Sequence, residues 1–271
     1  MTGRASTWRL PIALVALATI PVIAGSLRLI DLATGSTVMP LNPHFSATPL
    51  PVVIHIMSAI VFALLGAFQF STRLRRRHRA WHRRAGRIVM VAGLGVGLSA
   101  LWLNQFFPRA GATRELLYPV RMVFGVAMLV TIAFGFLAVR RREFANHRVW
   151  MIRSYAIGLV AGTQAFTLGI GGAIFGHGQF TTALLLVAAW AINLTVAEWA
   201  IRRQRPSSAG MGRGQMGEAA AHAAVRSRHF AGSRRASIAL SAGEGVVARV
   251  SCACVWRIWS SCVGFNSLMS G

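Results

Sequence analysis

Lysine is missing from this chain: all 29 basic residues are arginine. Carboxylates are scarce, six in 271 residues, for a formal charge of +23. Such a charge would suit nucleic acid if the arginines covered a solvated face. They gather instead in the gaps between apolar runs, the topogenic pattern of a membrane protein, so nucleic acid is set aside as a partner. Cysteine is confined to Cys252, Cys254 and Cys262. A disulfide framework would be spread through the fold, and a zinc site normally takes four ligands, so these thiols are read as incidental. No nucleophile elbow, phosphate loop or H-E-x-x-H motif occurs, which removes the common chemistries of soluble enzymes.

What the chain does contain is hydrophobic sequence, 55% of its residues, with a mean hydropathy of +0.55. Six stretches are long enough for a bilayer core, which needs about 20 apolar residues. They run from Leu10 to Ile30, Leu50 to Phe70, Ile88 to Phe107, Leu117 to Val139, Ile152 to Phe175 and Phe180 to Ile201. Backbone groups in lipid must be satisfied within each segment, so all six are expected to be helices. The expected fold is all-α: a polytopic membrane protein with a central four-helix bundle made of two hairpins.

Arginine placement orients these spans. The second connection carries eight arginines between Arg73 and Arg87, and the fourth with its flanks carries Arg140, Arg141, Arg142, Arg148 and Arg153. The first and fifth connections carry none. Positive-inside then puts both termini in the cytoplasm of a bacterial inner membrane, with membrane lipids as the surrounding partner. Residues 1–205 form the expected six-helix domain. Residues 206–271, rich in small and polar residues, are expected to be a disordered cytoplasmic tail.

Two connections repeat one pattern. Residues 75–83 read RRRHRAWHR and residues 140–148 read RRREFANHR, sharing R-R-R-x-x-A-x-H-R at an offset of 65. The match continues inward: His82 precedes Gly93 and Gly97, and His147 precedes Gly158 and Gly162, at the same spacings of 11 and 15. Those spacings put each histidine and its glycines within about 60° on one helix face. A Gly-x-x-x-Gly stripe admits a close neighbouring helix or a flat ligand. Parallel repeats imply a pseudo-twofold axis along the membrane normal, which would bring His82 and His147 level. Two facing imidazoles suit axial ligation of haem iron, and Arg83 and Arg148 beside them suit its propionates. A plainer reading is equally open: both loops are arginine-rich because both are cytoplasmic, and both histidines lie at headgroup depth.

Ionisable groups inside the spans are costly and therefore worth naming. His55 and Arg121 lie toward the external side at equivalent positions of the two hairpins. With Arg28 they could line an external pocket for a small molecule, and His177 and His44 lie near that depth. Alternatively, His55 makes one interhelical hydrogen bond and Arg121 snorkels. Glu198 stands four residues before Arg202, the spacing of a simple helical ion pair.

Beyond these patterns, the stretches PLPVVIHIMSAIVFALLGAFQFSTRLRRRHRAWHRRAGRI, LLYPVRMVFG, EFANHRVWMIRSYAIGLVAGTQAF and WAINLTVAEWAIRR closely resemble a bacterial membrane-protein family known as domain of unknown function 2306. The resemblance spans roughly residues 10–205 and includes His55, Gly66, Gln69, Phe70, Arg73, His82, Arg83, Gly86, Arg121, His147, Arg148, Trp150, Met151 and Arg153. It implies a fold but no established activity. The helix layout is also distantly like that of di-haem membrane cytochromes, which carry four histidines in two transmembrane pairs; this chain has one inner pair plus His55. The expected function is a b-type haem electron-transfer protein with His82 and His147 as metal ligands. The alternative is a non-haem small-molecule or proton transporter or binding protein built on His55 and Arg121. No reaction, redox partner or substrate is specified.

Overall fold

The computed structural model describes residues 6–35, 48–107 and 112–204. The expected tail, residues 206–271 with its cysteines, lies outside them, as do His44 and Arg109. The described helices fall in one compact unit, Met1–Pro206. They are α1 (Ser6–Thr34), α2 (Pro49–Gln69), α3 (Thr72–Arg77), α4 (Arg79–Phe106), α5 (Ala112–Arg140), α6 (Phe144–Gly158), α7 (Val160–Phe175) and α8 (Gln179–Arg203). No strand occurs among the described residues.

Five of these helices, α1, α2, α4, α5 and α8, are long and apolar enough to cross a membrane, and α6 with α7 passes the same test as a bent pair. The outer surface agrees: Leu50, Val91 and Ile174 are 67%, 71% and 68% exposed. Apolar exposure on that scale calls for lipid rather than water around the bundle. The protein is a polytopic all-α membrane protein.

The expected hairpins are present. α2 pairs with α4, α5 pairs with α6, and the pairs meet along α4 and α5. Helices α1 and α8 flank them. The core between the hairpins holds Phe62, Val89, Ala92, Val96, Met128, Ile132, Tyr155, Ile157 and Leu159. Tyr155 sits at the centre of an aromatic cluster, its ring 5.6 Å from Phe62 and 5.0 Å from Phe70. Its hydroxyl donates to Ala63 O at 2.7 Å, as a buried phenol requires.

One expected span is broken. The stretch from Ile152 to Phe175 bends by 43° at Leu159. Gly162 N–H reaches back to Leu159 O at 3.1 Å, a three-residue step. A bend in lipid leaves backbone carbonyls in need of donors. Asn193 of α8 supplies one, donating to Ala156 O at 3.0 Å, while its own Oδ1 accepts from Thr163 at 2.6 Å. Just past the bend, Gly162 lies against the backbone carbonyl of Leu17, where a Cβ would collide. Leu17 is four residues before Pro21, inside α1. Proline has no N–H to give that carbonyl, so the glycine backbone closes over a polar atom the helix leaves open.

The arginine-rich turns are built differently. Ser71 caps α3, its side chain accepting from Leu74 N at 3.3 Å. In the second turn, Glu143 N–H reaches Ala138 O at 2.8 Å and Arg142 N–H reaches Val139 O at 3.0 Å. With Arg142 at φ 62°, these bonds form a Schellman stop. A glycine normally occupies that left-handed position, and an arginine there costs about 1 kcal/mol.

Candidate functional site

The 65-residue offset survives as structure. His78 caps α4 and Glu143 caps α6, themselves 65 residues apart. His82 N–H bonds His78 O at 3.0 Å, and His147 N–H bonds Glu143 O at 2.9 Å. Both histidines are therefore the fourth residue of their helix, placed by the same first turn.

Eleven residues further in, the two helices share one object. The ring of Phe62 is wedged between Gly93 and Gly158: a Cβ on Gly93 would lie 2.8 Å from Phe62 Cε2, and one on Gly158 would lie 2.6 Å from Phe62 Cε1. From that common floor each histidine stands about 16 Å up its own helix. The two rings lie within electrostatic range of each other, and Arg75 lies in range of both His82 and Arg148. Arg83, the arginine expected to serve beside His82, is exposed to solvent.

His147 is locked by its other nitrogen. Its Nδ1 lies 2.8 Å from Gly135 O; a carbonyl only accepts, so Nδ1 carries the proton and donates it. That leaves the Nε2 lone pair available, the arrangement a ligating histidine adopts. Gly135 makes the approach possible, since a Cβ there would run into Met151. Between the rim and the floor lie two unmatched polar groups. Gln69 Nε2 and Ser154 Oγ are buried without a hydrogen-bond partner among the described residues. Gln69 lies over Gly86, one turn in from His82.

The glycine stripes themselves hold no space for a flat ligand. Gly93 takes Phe62 and Ile132, Gly97 takes Leu129, Gly158 takes Phe62 and Met128, and Gly162 takes Leu17. A flat ligand between these two helices would have to lie nearer the rim than Phe62. Among the described residues no group of three or more histidine, cysteine, aspartate or glutamate side chains could hold a bare metal ion.

At the opposite end lie His55 of α2 and Arg121 of α5. His55 Nδ1 lies 3.0 Å from Ser99 Oγ, and that hydroxyl donates onward to carbonyls of its own helix, Val96 O among them at 3.1 Å. Beside it Gly95 packs directly on Ser58, so this is a close helix contact, an interhelical bond of the plainer kind. Arg121 is half-buried on α5 with interactions of its own. His177 folds back on Gly172.

Glu198 does not serve Arg202 as the helical spacing suggested. It takes Arg153 of α6 in a two-pronged pair, Nε to Oε1 at 2.6 Å and Nη2 to Oε2 at 3.2 Å. The guanidinium fork matches a carboxylate edge better than an i, i+4 neighbour can. Arg153 also lies 5.1 Å above the Trp150 ring. The Arg153–Glu198 pair was not legible in the sequence because its members are 45 residues apart.

A family model described as predicted membrane protein (DUF2306) matches residues 52–201. The chain belongs to this family. The match takes in His55, His82, Arg121, His147, Arg153 and Glu198, and begins within α2. No curated protein and no solved structure matches the chain.

Proposed function

We propose that this member of the DUF2306 family is a haem b-binding protein of the bacterial inner membrane, passing single electrons, with His82 and His147 as the two residues that would hold the group. Its arginine-rich end and both termini lie in the cytoplasm in this reading. The observation that carries it is the histidine pair: two imidazoles in mutual range, each fixed by the same helix turn, one with Nδ1 committed to Gly135 O. Two donors are too few for a bare ion but sufficient for a macrocycle that brings its own four nitrogens. The donor number and the His147 tautomer support this reading, and Phe62 would close the inner side of such a site.

Bound there, haem would supply a one-electron iron couple. The chain's residues do the rest. The Gly135 carbonyl accepts from Nδ1 and holds the His147 ring in one orientation. Arg75 and Arg148, within electrostatic range of each other, would neutralise carboxylates of a bound ligand. Phe62, Met128 and Ile132 keep water from the inner side of the site.

The test is optical. The full chain, purified in mild detergent from haem-replete cells, should show a Soret band and a pyridine haemochrome of the b type. His82→Ala and His147→Ala should each lose it while eluting as folded protein, and His55→Ala should keep it. A colourless folded preparation, or colour that survives both inner substitutions, overturns the reading.

A further inference from the structure

At the arginine-rich end three helices carry an arginine laid over an aromatic ring. Arg140 of α5 lies 5.8 Å from the Phe136 centroid, Arg153 of α6 lies 5.1 Å from Trp150, and Arg203 of α8 lies 3.8 Å from Trp199. Their surroundings differ. The charge of Arg153 is cancelled by Glu198. Arg140 and Arg203 are exposed and have no carboxylate partner among the described residues.

Beneath each free guanidinium runs an apolar face open to lipid. On α8 it consists of Ile192, Val196 and Trp199, 47%, 57% and 54% exposed, at spacings of four and three that lead to Arg203. On α5, exposed Val130 and Leu137 lead to Arg140. Both helices run toward the same end, and they touch further in through the stacked rings of Phe124 and Trp190, 4.8 Å apart. The two cations therefore top neighbouring acyl-chain tracks.

We propose that Arg140 and Arg203 are headgroup sites for anionic phospholipid, each gripping a phosphate while the acyl chains lie along the exposed face below. A guanidinium held over a ring is free to present its N–H edge to two phosphate oxygens. An ammonium offers no such edge, and lysine is absent from the whole chain. The ring also pre-orders the side chain, so less freedom is lost on binding. Occupancy by lipid rather than a dissolved anion follows from the apolar track: a free phosphate would make no use of Val196 or Trp199.

Native mass spectrometry of the full chain in uncharged detergent tests this, with phosphatidylglycerol, phosphatidylcholine and inorganic phosphate as separate titrants. Phosphatidylglycerol should be retained at least about five-fold more than phosphatidylcholine, the contribution of one arginine near a membrane surface. Arg203→Gln and Arg140→Gln should each remove a comparable factor, and Trp199→Leu should weaken retention with the charge unchanged. Arg141→Gln, in the neighbouring turn, should retain the lipid. All four positions are on the exposed surface or its edge, and size exclusion confirms the fold. Equal retention of the two lipids, unchanged selectivity in both glutamine variants, or displacement of phosphatidylglycerol by equimolar inorganic phosphate overturns the proposal.

Discussion

Gly158→Ala is the substitution that most directly tests the wedge between the hairpins. The added methyl would stand 2.6 Å from Phe62 Cε1 and 3.1 Å from both Phe62 Cδ1 and Met128 Cε. Carbon atoms rest at about 3.5–4.0 Å, so the ring would have to withdraw by about 1 Å. It has nowhere to go: its far edge already meets Gly93, and the side chain is 4% exposed. Overpacking of this kind costs about 1–3 kcal/mol. Phe62→Leu removes the atoms that clash and should therefore rescue Gly158→Ala, giving a favourable coupling of about 1–2 kcal/mol in a double-mutant cycle. Coupling to Gly93→Ala should be smaller, because Ile132 Cδ1 would remain 2.7 Å from the new methyl. Reversible unfolding in mixed micelles measures all the corners. Additivity within about 0.5 kcal/mol would refute the shared wedge.

Two further substitutions probe the flanking helix. Glu198→Gln takes the anion from Arg153; with side chains 18% and 33% exposed, the pair is partly screened, and the same unfolding assay should show a loss of about 1 kcal/mol. Asn193→Ala strips the Ala156 carbonyl and the Thr163 hydroxyl of their partner. It should cost roughly 1–2 kcal/mol, and an unchanged midpoint would mean that water or another side chain satisfies the bend.

The spans were legible because a bilayer allows one solution to a long apolar run, and the histidine offset was legible because it is written in the chain. What stayed hidden depended on partners far away in sequence. Nothing near Leu159 distinguishes a bend from a straight glycine-bearing helix, since the residue that supports it is Asn193 on another helix. Glu198 has a local arginine at the favoured spacing, yet the fork of Arg153, 45 residues distant, wins on geometry. The stop at Arg142 is concealed because its left-handed residue is not a glycine. Gly93 and Gly158 announced a close approach without saying to what.

That last gap has a structural answer. Two hairpins packed this closely leave room for only one bulky ring between Gly93 and Gly158, because a second would occupy the same space. Phe62 is that ring, and the position 65 residues later is Ala127, partly buried against the same core. The repeat is therefore broken at the floor and kept at the rim: His82 and His147 hold the same position in the first turn of their helices, each eleven residues before a glycine packed on Phe62. In the proposed reading, a ligand between the two rims would meet a first-turn histidine from each side, whereas the floor is filled by one ring.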